Sequence, residues 1–191
     1  MNKNIILKRF HVGRYPINGY LLADAKTHIG AFIDPGGFSG LIEKYINDHN
    51  INLRYLLFTH GHWDHIEGLE DFTKKYSVMC CAGPGELRAA SKILHGGETI
   101  ELGTLPVKTI SVPGHTSGHV AFLAHNCLFT GDCLFNGSLG FTNGHNNARM
   151  QKNHIHDNLL CLPDHTLVFP AHGPISTIAD EKNNNPFLQK N

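Results

Sequence analysis

"LRYLLFTHGHWDHIEG", residues 53–68, runs from an apolar stretch straight into three histidines and an aspartate packed within positions 60–65. A short apolar run bounded by polar residues reads as a buried strand, and residues 66–76 carry apolar positions at helical spacing. The histidines therefore fall where a strand gives way to a helix. His60 and His62 are two apart and project to one side of an extended segment, whereas Asp64 and His65 come as the chain turns into the helix. Immediately upstream, apolar residues at 38, 41, 42, 45 and 46 predict a helix over 38–49. Helix, strand and helix in succession imply a layered α/β architecture.

Further out, "IILKRF", "NGYLLAD" and "IGAFIDPGG" read as an antiparallel meander of short strands, the last one stopped by Asp34-Pro35-Gly36-Gly37. Downstream, "SVMCCAG" reads as a strand, residues 85–94 as a short helix, and "LPVKTISV", "HVAFLA" and "CLFTGD" as further strands. A Gly/Asn-rich loop over 136–147, a helix reaching Leu162 and the strand "TLVFPAHG" follow. No low-complexity linker interrupts the 191 residues, so residues 1–191 are expected to form a single domain. The tail is polar except for Pro186, Phe187 and Leu188, which are placed to pin it to the body.

Sixteen basic residues balance sixteen acidic ones, which leaves no overall field to gather nucleic acid or an anionic membrane. The N-terminal stretch has only three consecutive apolar residues, too few for a signal peptide or a membrane span. A soluble, cytoplasmic protein is the expectation. Five cysteines form no CxxC pair and are odd in number, so neither a zinc ribbon nor a disulfide framework is suggested.

Fifteen histidines stand out, several of them beside glycine. Neutral imidazole is the commonest metal ligand. Four ligands within six residues exceed the local share of one catalytic ion, which usually takes three protein ligands and keeps a position for water. His115 in "VPGHTSGH", Asp132 in "LFTGDCLF" and His172 in "FPAHG" each follow an apolar run and adjoin glycine, as residues at strand ends would. Seven candidates result: His60, His62, Asp64, His65, His115, Asp132 and His172. They suffice for two sites of three side chains with one bridging carboxylate, an arrangement suited to ions roughly 3.5–4 Å apart. His119, His125, His145, His154, His156 and His165 read as ordinary surface or core histidines. Cys133 reads as packed rather than nucleophilic, since no basic partner is evident.

"THGHWDH", "GHTSGH", "FTGDCLF" and "FPAHG", in that order, resemble the metallo-β-lactamase superfamily, and within it the glyoxalase II-like hydrolases, over nearly the whole chain. The resemblance implies a four-layer αββα sandwich with the site at one edge. It implies that His60, His62 and His115 hold one ion, that Asp64, His65 and His172 hold the other, and that Asp132 bridges. Zinc is the usual ion in the family, with iron or manganese as alternatives. Gly61, Gly114 and Gly131 would let backbone pass close to the ions. The implied chemistry is attack by a metal-bridging hydroxide, available because bound metal lowers the pKa of water from ~15.7 toward ~7. Asp64 and Asp132 are then catalytic in their capacity as ligands.

The function so implied is hydrolysis of a small thioester or ester, with S-lactoylglutathione-type substrates the best single guess. Two alternatives are a mononuclear iron persulfide dioxygenase, which reuses the first ligand set, and an inactive metal-binding module. A β-lactamase is disfavoured, because that group generally lacks the bridging aspartate. Two departures bear on glutathione. The C-terminal helical region of full-length glyoxalase II is not expected here. Phe141 and Asn143 stand where relatives carry a basic residue and an aspartate; Arg149 and Lys152 are the nearby cations.

Overall fold

The computed structural model describes residues 4–14, 17–88 and 90–189. Strands β1 (Ile5–Val12), β2 (Ile17–Asp24) and β3 (Ile29–Ile33) form the antiparallel meander. Helix α1 (Gly40–Asp48) then carries the chain over to β4 (Asn52–Leu57), which lies parallel to β3. Two short helices, α2 (Trp63–Ile66) and α3 (Leu69–Lys75), lead to β5 (Met79–Ala82), parallel to β4. Strand β6 (Lys92–Ile93) completes a sheet ordered β1-β2-β3-β4-β5-β6.

The second half forms β7 (Thr99–Leu102), β8 (Leu105–Ser111), β9 (Val120–Ala124), β10 (Cys127–Gly131) and a small hairpin, β11 (Leu134–Phe135) with β12 (Ser138–Leu139). Helix α4 (His145–His154) runs on into a π-helical turn, and β13 (Leu167–Pro170), β14 (Ser176–Thr177) and α5 (Ile178–Asn184) follow. The second sheet is ordered β14-β13-β10-β9-β8-β7.

Period-two alternation sorts the apolar side chains into layers. Tyr20, Leu22, Ala31, Ile33 and Leu57 of the first sheet meet Val107, Val120, Phe122, Phe129 and Phe169 of the second. The intervening residues Leu21, Phe32 and Leu56 turn outward, against Ile42 and Ile46 of α1 and Phe72 of α3. Ala121, Leu128 and Val168 pack outward against Ile155 and Leu159 after α4 and Ile178 of α5. Helix, sheet, sheet and helix are stacked, the αββα sandwich expected. Leu188 alone of the three apolar tail residues packs against the last of these layers.

One expected helix is absent among the described residues, and Ala89 within its range lies outside them. Residues 85–94 form a turn at Pro84–Glu86 and then strand β6, paired with β5 through Cys81↔Lys92 and Ala82↔Ile93. Leu87, Ala90 and Leu94 mimic helical spacing, but the open edge of β5 accepts the Ser91 and Leu94 amides at the carbonyls of Cys80 and Ala82. Residues 136–147, expected as loop, contain β12 and the first residues of α4. No helix among the described residues is long and apolar enough to cross a membrane.

Candidate metal centre

The seven predicted residues come together at one edge of the sandwich. His60, His62, Asp64 and His65 sit on the stretch from the end of β4 into α2. His115 lies on the loop between β8 and β9, Asp132 directly after β10, and His172 just beyond β13. Three groups of side chains each bring their ligand atoms within 4.8 Å of one another: His60, His62 and His115; Asp64, His65 and His172; and His60, His65 and Asp132. The third group draws a histidine from each of the others, and Asp132 stands between them. Its Oδ1 lies 3.4 Å from His65 Nε2 and 3.5 Å from His172 Nε2, and its Oδ2 lies 3.7 Å from His115 Nε2.

The surrounding hydrogen bonds determine where the imidazole lone pairs point. Thr59 donates its hydroxyl to Asp34 Oδ2 at 2.8 Å, so its oxygen is free to accept from His60 Nδ1 at 3.1 Å. His65 Nδ1 lies 3.2 Å from the same Asp34 oxygen. His115 Nδ1 donates to the Phe141 carbonyl at 2.6 Å. In His60 and His115 the hydrogen-bonded Nδ1 leaves Nε2 with an open lone pair, the tautomer a metal ligand needs. Consistently, the buried His60 Nε2, His65 Nε2 and Asp132 Oδ1 have no hydrogen-bond partner among the described residues. His115 Nε2 faces His62 Nδ1 at 3.0 Å. Buried polar atoms are seldom left unpaired, and orphans converging on one space mark a place for an ion.

The titration of these groups points the same way. Burial, followed by the neighbouring imidazoles of His65, His119, His115 and His62, holds His60 well below the usual histidine range. Burial also opposes a charge on His65, yet Asp34 and Asp132 push it up to about 10. The two carboxylates thus favour a positive charge on His65, a proton that a cation held there would displace. Burial would raise the Asp132 carboxyl, but His65, His172 and His115 keep it below the ordinary carboxylate range.

Several supporting residues escaped the sequence reading. Asp34, at positive φ in the breaker cluster, accepts from both the Thr59 amide and hydroxyl. Asn18, at the start of β2, donates its side-chain amide to the carbonyls of Pro170 and Gly173, and its backbone N–H to Ala171, bracketing His172. Gln151 of α4 donates to the carbonyls of Cys133 and Gly140 from behind the site. His119 is fully buried and its Nε2 accepts the Asp132 amide at 3.3 Å, which orients the aspartate. Burial above all lowers this imidazole to about 3. The Cys133 thiol is packed as expected; it donates to the Thr130 carbonyl, and burial pushes its pKa far up. Gly61, Gly114 and Gly131 also pack tightly against neighbouring segments. A side chain at these positions would strike Glu86 of the β5 loop, Gln151 of α4 and Thr59 after β4 respectively, so they admit close approach of the segments around the candidate residues.

This fold and this constellation define a class, the metal-dependent hydrolases built on an αββα sandwich. The chain belongs to the metallo-beta-lactamase superfamily, whose family profile matches residues 12–92 and 82–172. It is 31% identical to the probable metallo-hydrolase YqgX of Bacillus subtilis, covering 95% of this chain and 96% of that protein. It is 30% identical to the hydroxyacylglutathione hydrolase GloC of Haemophilus influenzae, over 83% of this chain and 86% of the relative. A hydroxyacylglutathione hydrolase of Serratia proteamaculans is 35% identical, and there the match spans only 60% of the longer relative. Among solved structures, the BLEG-1 B3 metallo-beta-lactamase superposes with a TM-score of 0.86 at 26% identity, over 97% of this chain and all of the other. ETHE1 from Myxococcus xanthus superposes at 0.85, also at 26% identity, over 95% and 83%.

Proposed function

We propose that the chain is a dinuclear metal-dependent hydrolase of small thioesters or esters. The observation that carries this reading is the pairing of two three-residue groups, His60/His62/His115 and Asp64/His65/His172, with Asp132 presenting one oxygen toward each. Zinc is the favoured ion, and iron or manganese would suit the same nitrogen and oxygen donors. When bound, the ions supply a nucleophile from water at neutral pH and polarise the carbonyl under attack. The protein's own part is to hold the donors in register. Thr59 and the Phe141 carbonyl orient the imidazoles of His60 and His115, Asp34 faces that of His65, and His119 holds the Asp132 amide. In the net reaction water adds to the acyl carbon, the C–S or C–O bond breaks, and a carboxylic acid and a thiol or alcohol leave.

The side chains beside the ligands favour an apolar substrate over a glutathione conjugate. Phe141, whose carbonyl holds His115, is 82% exposed, and Trp63, between His62 and Asp64, is 52% exposed. The Phe135 ring lies 5.8 Å from the His172 ring. A phenyl ring cannot pair with a glycyl carboxylate as a lysine can. Arg149 and Lys152 are exposed on α4, whereas the position on that helix turned toward the site is neutral, Gln151.

The test is to load the protein separately with zinc, iron and manganese, measure metal per chain, and assay thioesters and esters that differ in acyl and leaving group. Two ions per chain with release of thiol or alcohol is expected. One iron per chain, oxygen consumption on a persulfide and no thioesterase activity would instead establish the dioxygenase reading. A full metal complement without turnover on the panel would establish the inactive module, and cephalosporin hydrolysis rivalling that of thioesters would establish a lactamase.

A further inference from the structure

Glu86 lies outside every ligand group, on the loop that follows β5, and it touches two of the loops that carry ligands. Its Oε2 accepts the Gly61 amide at 2.8 Å and its Oε1 accepts the Gly118 amide at 2.7 Å. Gly61 stands between His60 and His62, and Gly118 lies on the loop that presents His115. The three loops stack backbone against backbone. A Cβ on Gly61 would lie 1.8 Å from the Glu86 carbonyl oxygen, and one on Gly118 would lie 2.2 Å from the Pro84 carbonyl oxygen. The β5 loop is therefore in contact with both glycines and spans the gap between the loops. We propose that Glu86 is a positioning residue for the ion held by His60, His62 and His115, its single carboxylate fixing the distance between the two loops that supply them.

The inference rests on the proposed ligand set, because a spacer matters only if His62 and His115 must converge. The geometry suits a carboxylate in particular. Both of its oxygens accept, whereas the amide of a glutamine offers one acceptor and turns an NH2 toward the second backbone N–H. Glu86→Gln thus keeps size and shape, loses one of the two bonds and sets two donors face to face. Aspartate is one methylene shorter, so Glu86→Asp keeps two acceptors while losing reach.

The experiment is equilibrium competition for zinc with a chromophoric chelator, performed on the full chain and in a His172→Ala background that disables the other group. In that background Glu86→Gln should bind zinc about 10–100-fold more weakly, the scale for loss of a residue that orients ligands. Glu86→Asp should fall between Glu86→Gln and the parent, and the melting temperature of the metal-free protein should move little. If Glu86→Gln binds zinc as the parent does, Glu86 does not set this site. If the melting temperature of the metal-free protein falls and zinc affinity falls only in proportion, Glu86 merely holds the loops folded, and the positioning role is overturned. If the parent with an intact glutamate binds no zinc at all, the ligand assignment itself is wrong and this inference goes with it.

Discussion

Asp132 carries the most consequence of any single residue, because its charge faces three imidazoles while its amide is held by His119. Asp132→Asn keeps the shape and removes a negative charge from between two proposed cation positions. Turnover should drop by at least about 100-fold, the scale for losing a strong electrostatic contact, and metal content should fall with it. Far-UV circular dichroism should stay unchanged, because the side chain belongs to none of the apolar layers. Wild-type turnover with two ions per chain in Asp132→Asn would end the bridging assignment. Asp34 accepts from Thr59 and faces His65, so Asp34→Ala strips the acceptor from Thr59 and removes the carboxylate opposite His65 Nδ1. Its expected signature is metal affinity lowered by about 10–100-fold, measured by chelator competition. Unchanged affinity would show that the tautomers are held in some other way.

Asp24 makes a corresponding prediction at the level of elements. It closes β2 at the end away from Asn18 and the site, and its carboxylate accepts from the Lys26 amide, the Thr27 hydroxyl, and the Thr104 amide and hydroxyl. The turn after β2 in one sheet is thereby tied to the turn between β7 and β8 in the other. Burial would raise this carboxyl, but the hydrogen bonds led by the Thr104 amide hold it well below the ordinary carboxylate range. A depressed folded-state pKa contributes stability that is present above the unfolded value of about 3.9 and is lost as the pH falls toward the folded value. Urea midpoints of the wild type should therefore fall more steeply below about pH 4 than those of Asp24→Asn, which should melt roughly 3–8 °C lower at neutral pH. Parallel pH profiles would remove Asp24 from this role.

The same scale shows what the sequence could reveal. The meander, α1 and β4 were legible because each has a clear period and strong turn residues, and the convergence of the seven candidate residues was legible because histidine and aspartate beside glycine at strand ends are rare. Strand β6 was not, since two residues carry no period and their conformation is decided by the free edge of β5. Asp34, Asn18 and Glu86 were invisible for a related reason. Each works through backbone amides or carbonyls of segments remote in sequence, and nothing in its local surroundings marks it.

For the whole molecule, the question is what the ions contribute to stability. Each of the three apolar layers extends well beyond the ligand edge, with Tyr20, Phe122 and Phe129 between the sheets and Phe32, Phe72, Leu128 and Ile155 beneath the helices. A core of this extent holds a chain without metal, unlike a zinc finger, whose folding energy is largely its metal-binding energy. Exhaustive chelation should therefore leave a cooperative transition and unchanged far-UV circular dichroism at 25 °C. Ions that bind only the folded state still raise its stability by mass action, by about 2.7–4.1 kcal/mol at 100 to 1,000 times Kd for one site. For a chain of this size each kcal/mol shifts the melting temperature by about 2–4 °C, so restoring zinc should raise it by roughly 5–15 °C, increasing with free zinc concentration. Unfolding on chelation would mean that the ligand edge, rather than the layered core, holds the sandwich together. A melting temperature indifferent to zinc across that range would mean that the histidines and aspartates at the edge do not bind it.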